Sequence, residues 1–185
     1  MDDVQAIQRL KNGDIGGLEL LIARYQEKAI RTAYFITSDY ANAEDVVQDT
    51  FVRIFHRIRN FDESRPFEPY LLQSVVHAAI NTAERSSRNV SLDEMIEPGK
   101  MENLFQRVTT TEDQVEYAQL KKEIFAGLNK LPPRERAVII ERYYLEMSEK
   151  EMAAEHSIAP GTVKWLLNVA RRHLRSLIGM EGEDK

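Results

Sequence analysis

The chain has 185 residues, with 25 Lys and Arg against 30 Asp and Glu, a formal net charge of −5 and no Cys. That charge argues against a general nucleic-acid coat protein, and the lack of Cys excludes disulfides, thiolate catalysis and Cys-based zinc sites. The length suits one large domain or two small ones.

The opening residues, MDDVQAIQRLKNGD, are polar, and no apolar run approaches the roughly 20 residues needed to span a bilayer. A cytoplasmic, soluble protein without membrane insertion is the expectation. His56, His77, His156 and His173 are far apart in sequence and none belongs to an HExxH, so neither a metal nor another cofactor is expected. The charge is uneven. Residues 1–85 hold 10 bases against 13 acids, net −3; residues 86–115 hold 3 against 6, again −3. Residues 116–178 hold 11 against 8, net +3, and the tail holds 1 against 3, net −2. β-branched runs of period two are absent, and the Gly-poor segments bearing Leu and Ala read as helices throughout.

In chain order, Asp3 to Leu10 predicts a short helix ended by Asn12 and Gly13, with Gly16 and Gly17 permitting a second turn. Leu18, Leu21, Ile22, Tyr25, Ala29, Ala33 and Ile36 then mark a long amphipathic helix, and core packing explains all of them. In the next helix Asn42 to Asp45 offers a cap and acids for the first turn. Val47, Phe51, Ile54 and Ile58 form its buried stripe, and Asp45, Gln48, Asp49, Val52 and His56 face outward. As a bare pattern this is a solvated polar face. A loop follows from Phe61 to Pro66, then a helix from Phe67 to Arg88.

The run NAEDVVQDTFVRIFHRIRNFDESRPFEPYLLQ resembles the second conserved region of bacterial RNA polymerase sigma factors, in their short extracytoplasmic-function form. The resemblance implies that Asp45, Gln48 and Asp49, with Arg53 beside them, dock on the basic clamp helices of the polymerase beta-prime subunit. Carboxylates and an amide suit that role, since they accept hydrogen bonds from arginines. It also implies that the loop and following helix capture a flipped base of the minus-ten element and hold the melted strand. Flipping needs a pocket and stacking groups, with cations beside them. Phe61, Arg65, Phe67 and Tyr70 are the candidates in the loop and helix start, and Gln73, His77, Asn81 and Arg85 form the outward ridge. Packing competes as the account of Phe67 and Tyr70. The family usually carries Trp where Tyr70 stands, and Arg or Asn through the positions of Gln73, Val76 and His77.

Ser86 to Thr111 loses helical periodicity and carries the breaker Pro98–Gly99, which marks a boundary between two helical domains. Leu92, Met95, Ile96, Leu104 and Phe105 make it too apolar for a free tether. Beyond it, Glu112 to Asn129 predicts a helix with Val115, Leu120, Ile124 and Leu128 inward, and Arg134 to Glu146 another. Ser148 and Glu151 form a capping box that starts a short helix. The chain turns around His156, Ser157 and Ile158, and Pro160 sits at the first position of a last helix. Its stripe of Val163, Leu167, Ala170, Leu174 and Leu177 faces a core. The other face carries Lys164, Trp165, Asn168, Arg171, Arg172 and Arg175, a surface built to meet an anion.

Short helix, tight turn and longer basic helix make a helix-turn-helix, whose second helix enters the major groove by its N-terminal residues. Those are Pro160, Gly161, Thr162 and Lys164, with Trp165 and Asn168 just behind. From the helix pair alone, DNA binding and a merely solvated basic face stand about level. The run LPPRERAVIIERYYLEMSEKEMAAEHSIAPGTVK resembles the fourth conserved region of sigma factors, which reads the minus-thirty-five element. Two departures stand out. Ser157 replaces the Gly often found in the turn, where positive φ is common. Trp165 and Leu166 replace a small residue and an Arg, which removes one phosphate contact expected from the family.

The expected fold is all-α: two small helical domains, 1–88 and 112–185, joined by a linker at 89–111, the second containing the helix-turn-helix. The resemblance implies a dissociable sigma factor whose partners are core RNA polymerase (beta-prime clamp and beta flap), promoter DNA and an anti-sigma factor of the kind many relatives pair with. No convergent nucleophile and base or phosphate-cradling Gly loop is visible, so catalysis is not expected. Two alternatives stay open: a free-standing helix-turn-helix regulator dimerising on a palindrome, and a degenerate sigma-like protein acting through a regulatory partner.

Overall fold

A computed structural model of the chain describes residues 2–89 and 113–179. The linker residues Leu92, Met95, Ile96, Leu104 and Phe105 and the side chain of Val115 lie outside what is described. Every regular element among the described residues is helical, and the chain divides into two compact units, Met1–Arg88 and Asn89–Lys185.

In the first unit α1 (Asp3–Lys11) begins with a capping box, Gln5 N donating to Asp2 Oδ1 at 2.8 Å and Asp2 N to Gln5 Oε1 at 3.2 Å. It buries Ala6, Ile7 and Leu10 against α2 (Gly16–Thr37). Gly16 and Gly17 do not form the expected turn; they are the first residues of α2. Asp14 Oδ1 accepts from Gly16 N at 2.9 Å, and a Cβ on Gly17 would sit 2.2 Å from the Ala6 carbonyl oxygen. Gly17 is therefore needed for the close approach of two backbones.

Ser38, left-handed at φ 61°, ends α2, and Asp39 at once caps α3 (Tyr40–Arg57) by accepting from Asn42 N at 2.7 Å. The cap is thus Asp39 rather than Asn42, and the first turn of α3 holds no acid. Val47, Phe51, Ile54 and Ile58 are buried as their spacing predicts, together with Ala43, Val46 and Thr50. Burying each of the larger side chains contributes about 2 kcal/mol before the entropy of ordering it is counted. A 3-10 turn, Ile58–Asn60, leads to the loop, and α4 (Phe67–Asn89) buries Phe67, Leu71, Leu72, Val75, Val76, Ala79 and Ala83.

In the second unit α5 (Asp113–Lys130) buries Phe125 and Leu128, whereas Leu120, expected inward, is exposed. Arg136 of α6 (Pro133–Tyr143) is buried, and its Nη2 donates to the carbonyls of Asn129 and Leu131 at 2.8 and 3.0 Å. It thereby satisfies carbonyls that the end of α5 leaves without helical partners. Burial pulls the Arg136 guanidinium down to about 10. α6 stops at Tyr143, short of the expected Glu146, whose φ of 57° is left-handed. α7 (Glu149–Glu155) carries the Ser148–Glu151 capping box at 3.2 and 2.8 Å. α8 (Pro160–Leu177) packs on α5, α6 and α7 through Val163, Leu167 and Ala170; Leu177, expected in that stripe, is 40% exposed.

Candidate nucleic-acid and polymerase-contacting surfaces

Three surfaces emerge, two on the first unit and one on the second. The last begins with the α7–α8 turn. Ser157 takes φ 52°, the left-handed conformation that Gly favours, at a cost of about 1 kcal/mol. What holds the turn is a pair that sequence reasoning missed. Glu141 of α6 is fully buried, and His156 Nε2 lies 2.9 Å from each of its carboxylate oxygens. The hydrogen bond to Glu141 raises the His156 pKa above its usual value, against the effect of burial. His173 Nδ1, 2.7 Å from Glu135 Oε2, ties α8 to α6 a second time. The sequence signal was weak: an acid inside the apolar run of α6 and a His in the turn, fifteen residues apart.

Pinned in this way, α8 turns Pro160, Gly161, Thr162, Lys164, Trp165, Asn168, Arg172 and Arg175 to solvent. Arg171 is half-buried and folds back on its own helix, Nε donating to Leu167 O at 3.1 Å and Nη2 to Asn168 Oδ1 at 2.9 Å. Asn168, Arg171, Arg172 and Arg175 line a shallow cationic recess of about 270 Å³. No acid lies in the first turn of α8, so at that end the helix dipole and Lys164 both favour an anion.

On α3, Asp45, Gln48, Asp49 and Arg53 all face solvent along one ridge. Arg53 lies along its helix, Nε donating to Asp49 O at 3.2 Å and Nη2 to Thr50 Oγ1 at 3.3 Å. The ridge is flanked by apolar surface, since Val52 is 52% and Phe55 36% exposed. Phe55, set edge-on to His56 with centroids 5.4 Å apart, was not anticipated; its absence from the stripe of Val47, Phe51, Ile54 and Ile58 was the available sign.

The loop before α4 requires a correction. Phe61 and Phe67, expected to stack on a flipped base, are buried at 9% and 1% exposure. They belong to an aromatic cluster in which Phe67 sits 5.8 Å from both Phe61 and Tyr25, and Phe61 4.9 Å from a half-buried Tyr70. The rings anchor the loop from below, which leaves their faces no room for a base. The loop's acids have partners in the loop and in α1. Asp62 Oδ1 accepts from Ser64 N and Oγ at 3.0 and 2.7 Å, which lowers its pKa. Lys11 Nζ of α1 donates to Phe61 O and Glu63 Oε1, both at 2.7 Å, and lowers the Glu63 pKa. Arg65 is the loop's exposed cation. Along α4, His77, Asn81 and Arg85 are exposed and Gln73 is half-buried.

An all-helical protein with a helix-turn-helix, a cationic recognition face and a separate acidic ridge belongs to the class of transcription proteins that read duplex DNA. Residues 21–89 match the family Sigma-70 region 2, and residues 121–174 match Sigma-70, region 4. The chain is 35% identical over 164 residues to the ECF RNA polymerase sigma factor SigL of Mycobacterium tuberculosis, covering 84% of this chain and 87% of that one. It is 26% identical over 173 residues to the ECF RNA polymerase sigma factor SigW of Bacillus subtilis, covering 91% and 92%. Among solved structures, CnrH in complex with the cytosolic domain of CnrY shares the fold at a TM-score of 0.63 and 23% identity, over 97% of this chain and 99% of that one. The sigma factor RpoE of Bartonella quintana, in complex with the anti-sigma factor NepR, does so at 0.62 and 22%, over 89% and 96%. The chain belongs to the ECF family of RNA polymerase sigma factors, initiation factors that direct promoter-specific transcription.

Proposed function

We propose that the two units divide the work of promoter selection at the boundaries 1–88 and 112–185, joined by the linker 89–111. In the first, the α3 ridge of Asp45, Gln48, Asp49 and Arg53 grips the basic clamp helices of beta-prime. Arg65, with Gln73, His77, Asn81 and Arg85, holds the melted minus-ten strand, while Phe61 and Phe67 act from beneath as the loop's foundation. In the second, α8 reads the minus-thirty-five duplex, and the domain rests on the beta flap. The protein works in the cytoplasm, where its polymerase is. A relative of similar fold is held by an anti-sigma factor, and an inhibitor of that kind is the expected regulator here.

The observation that carries this reading is the pairing of an exposed acidic ridge with a cationic recognition helix in a chain whose net charge is −5. Such a chain holds duplex weakly by itself and needs polymerase to bring it there. Asp49→Arg reverses one exposed charge. Co-elution with core polymerase on size exclusion should be lost while the melting temperature is kept. Unchanged co-elution removes α3 as the docking surface, and a tight footprint on DNA without polymerase favours the free-standing regulator.

A further inference from the structure

Trp165 is the chain's sole tryptophan and is 61% exposed. Successive helical residues advance by roughly 100°, which places Trp165 roughly 180° from the buried stripe of Val163, Leu167 and Ala170. Lys164, Arg171 and Arg175 lie to one side, roughly 70–115° from that stripe, and Arg172 shares the far side with Trp165. In a helix seated in a major groove, the residue opposite the core points at the groove floor, where base edges lie, and flanking cations reach the phosphate walls.

The space around the indole fits that placement. A helical side chain leans back over the preceding turn, and for Trp165 that turn contains Gly161. A Cβ on Gly161 would meet nothing within 4 Å. Packing therefore does not require Gly161, and the outward face of the helix is open one turn before Trp165. The indole is neutral, so it displaces no counterion and is poorly suited to anchor a phosphate. Its body is apolar, and the apolar group that B-DNA presents in the major groove is the thymine 5-methyl.

We infer that Trp165 is a specificity residue that packs on a thymine 5-methyl in the upstream promoter element. The inference rests on the assignment of α8 to duplex DNA, and the test separates the two. Holoenzyme formed with the full chain is used to select a preferred duplex from a library randomised across the upstream element. Each thymidine of that duplex is then replaced singly by deoxyuridine, which removes the methyl alone, and occupancy is measured with wild type, Trp165→Ala and Lys164→Ala.

At one or two thymidines, deoxyuridine should lower wild-type occupancy about fourfold, the worth of one buried methyl group, and should have no effect with Trp165→Ala. The exposed position predicts an unchanged melting temperature for that variant. Equal sensitivity in Trp165→Ala, no sensitivity in wild type, or a preferred duplex without thymidine overturns the inference. If Lys164→Ala still weakens occupancy across sequences in those cases, only the role of Trp165 falls. If neither substitution alters occupancy or the selected sequence, the placement of α8 on duplex falls as well.

Discussion

The Glu141 carboxylate has no solvent exposure, and both its oxygens meet His156 Nε2 in the turn that aims α8. Removing the imidazole leaves a buried acid without that partner, so His156→Ala should cost about 3 kcal/mol in urea unfolding. The pH dependence follows from the direction of the shift. The folded pKa of His156 is raised above its usual value of 6.5. Its extra stabilisation is therefore fully present below the unfolded value and is lost as pH rises through the folded one. The stability gap between wild type and His156→Gln, measured against pH, should shrink across that interval; a gap that widens with rising pH contradicts the pairing. At this scale the sequence was hard to read. An aromatic residue beside a DNA-binding loop and one beneath it look alike in sequence, and only the cluster of Tyr25, Phe61, Phe67 and Tyr70 shows that Phe61 and Phe67 lie beneath.

Among the elements, two glycines give opposite expectations. Gly17→Ala would drive a Cβ to within 2.2 Å of the Ala6 carbonyl and should destabilise the α1–α2 contact by about 2 kcal/mol. Gly161→Ala meets open space and should leave stability unchanged or slightly raised; any loss of promoter output then reports on the approach to DNA rather than on folding. The α1 helix has a further part, since Lys11 both shapes the Phe61 to Pro66 loop and neutralises Glu63. Lys11→Met should slow open-complex formation by about three- to tenfold with polymerase binding intact, and Lys11→Arg should restore most of it. The helix order could be read directly, because apolar spacing and caps are local signals. The start of α3 could not. Asn42 and Asp39 are both capable caps, and the left-handed Ser38 at the end of α2 leaves no intervening residue, so Asp39 takes the role.

At the scale of the whole molecule, the acidic α3 ridge belongs to the first unit and the cationic face of α8 to the second. With Lys164, Arg171 and Arg175 as its phosphate contacts, the isolated protein should show a salt dependence of duplex binding with a log–log slope of about −3. Titration of a labelled duplex at several salt concentrations measures it, and a slope near −8 would require cations outside α8. The all-α class and the outward residues of α3 and α8 were determined by sequence alone. Periodicity sorts inward from outward wherever one helix face is buried. Tertiary structure decided which aromatics are foundation and which are surface. It also decided that a buried Glu141 reaches across to hold the turn, that Arg136 closes the end of α5, and that Leu120 and Leu177 stay exposed. Those outcomes depend on what the neighbouring helices bring to the same place, and spacing along one helix carries no information about the helix packed against it.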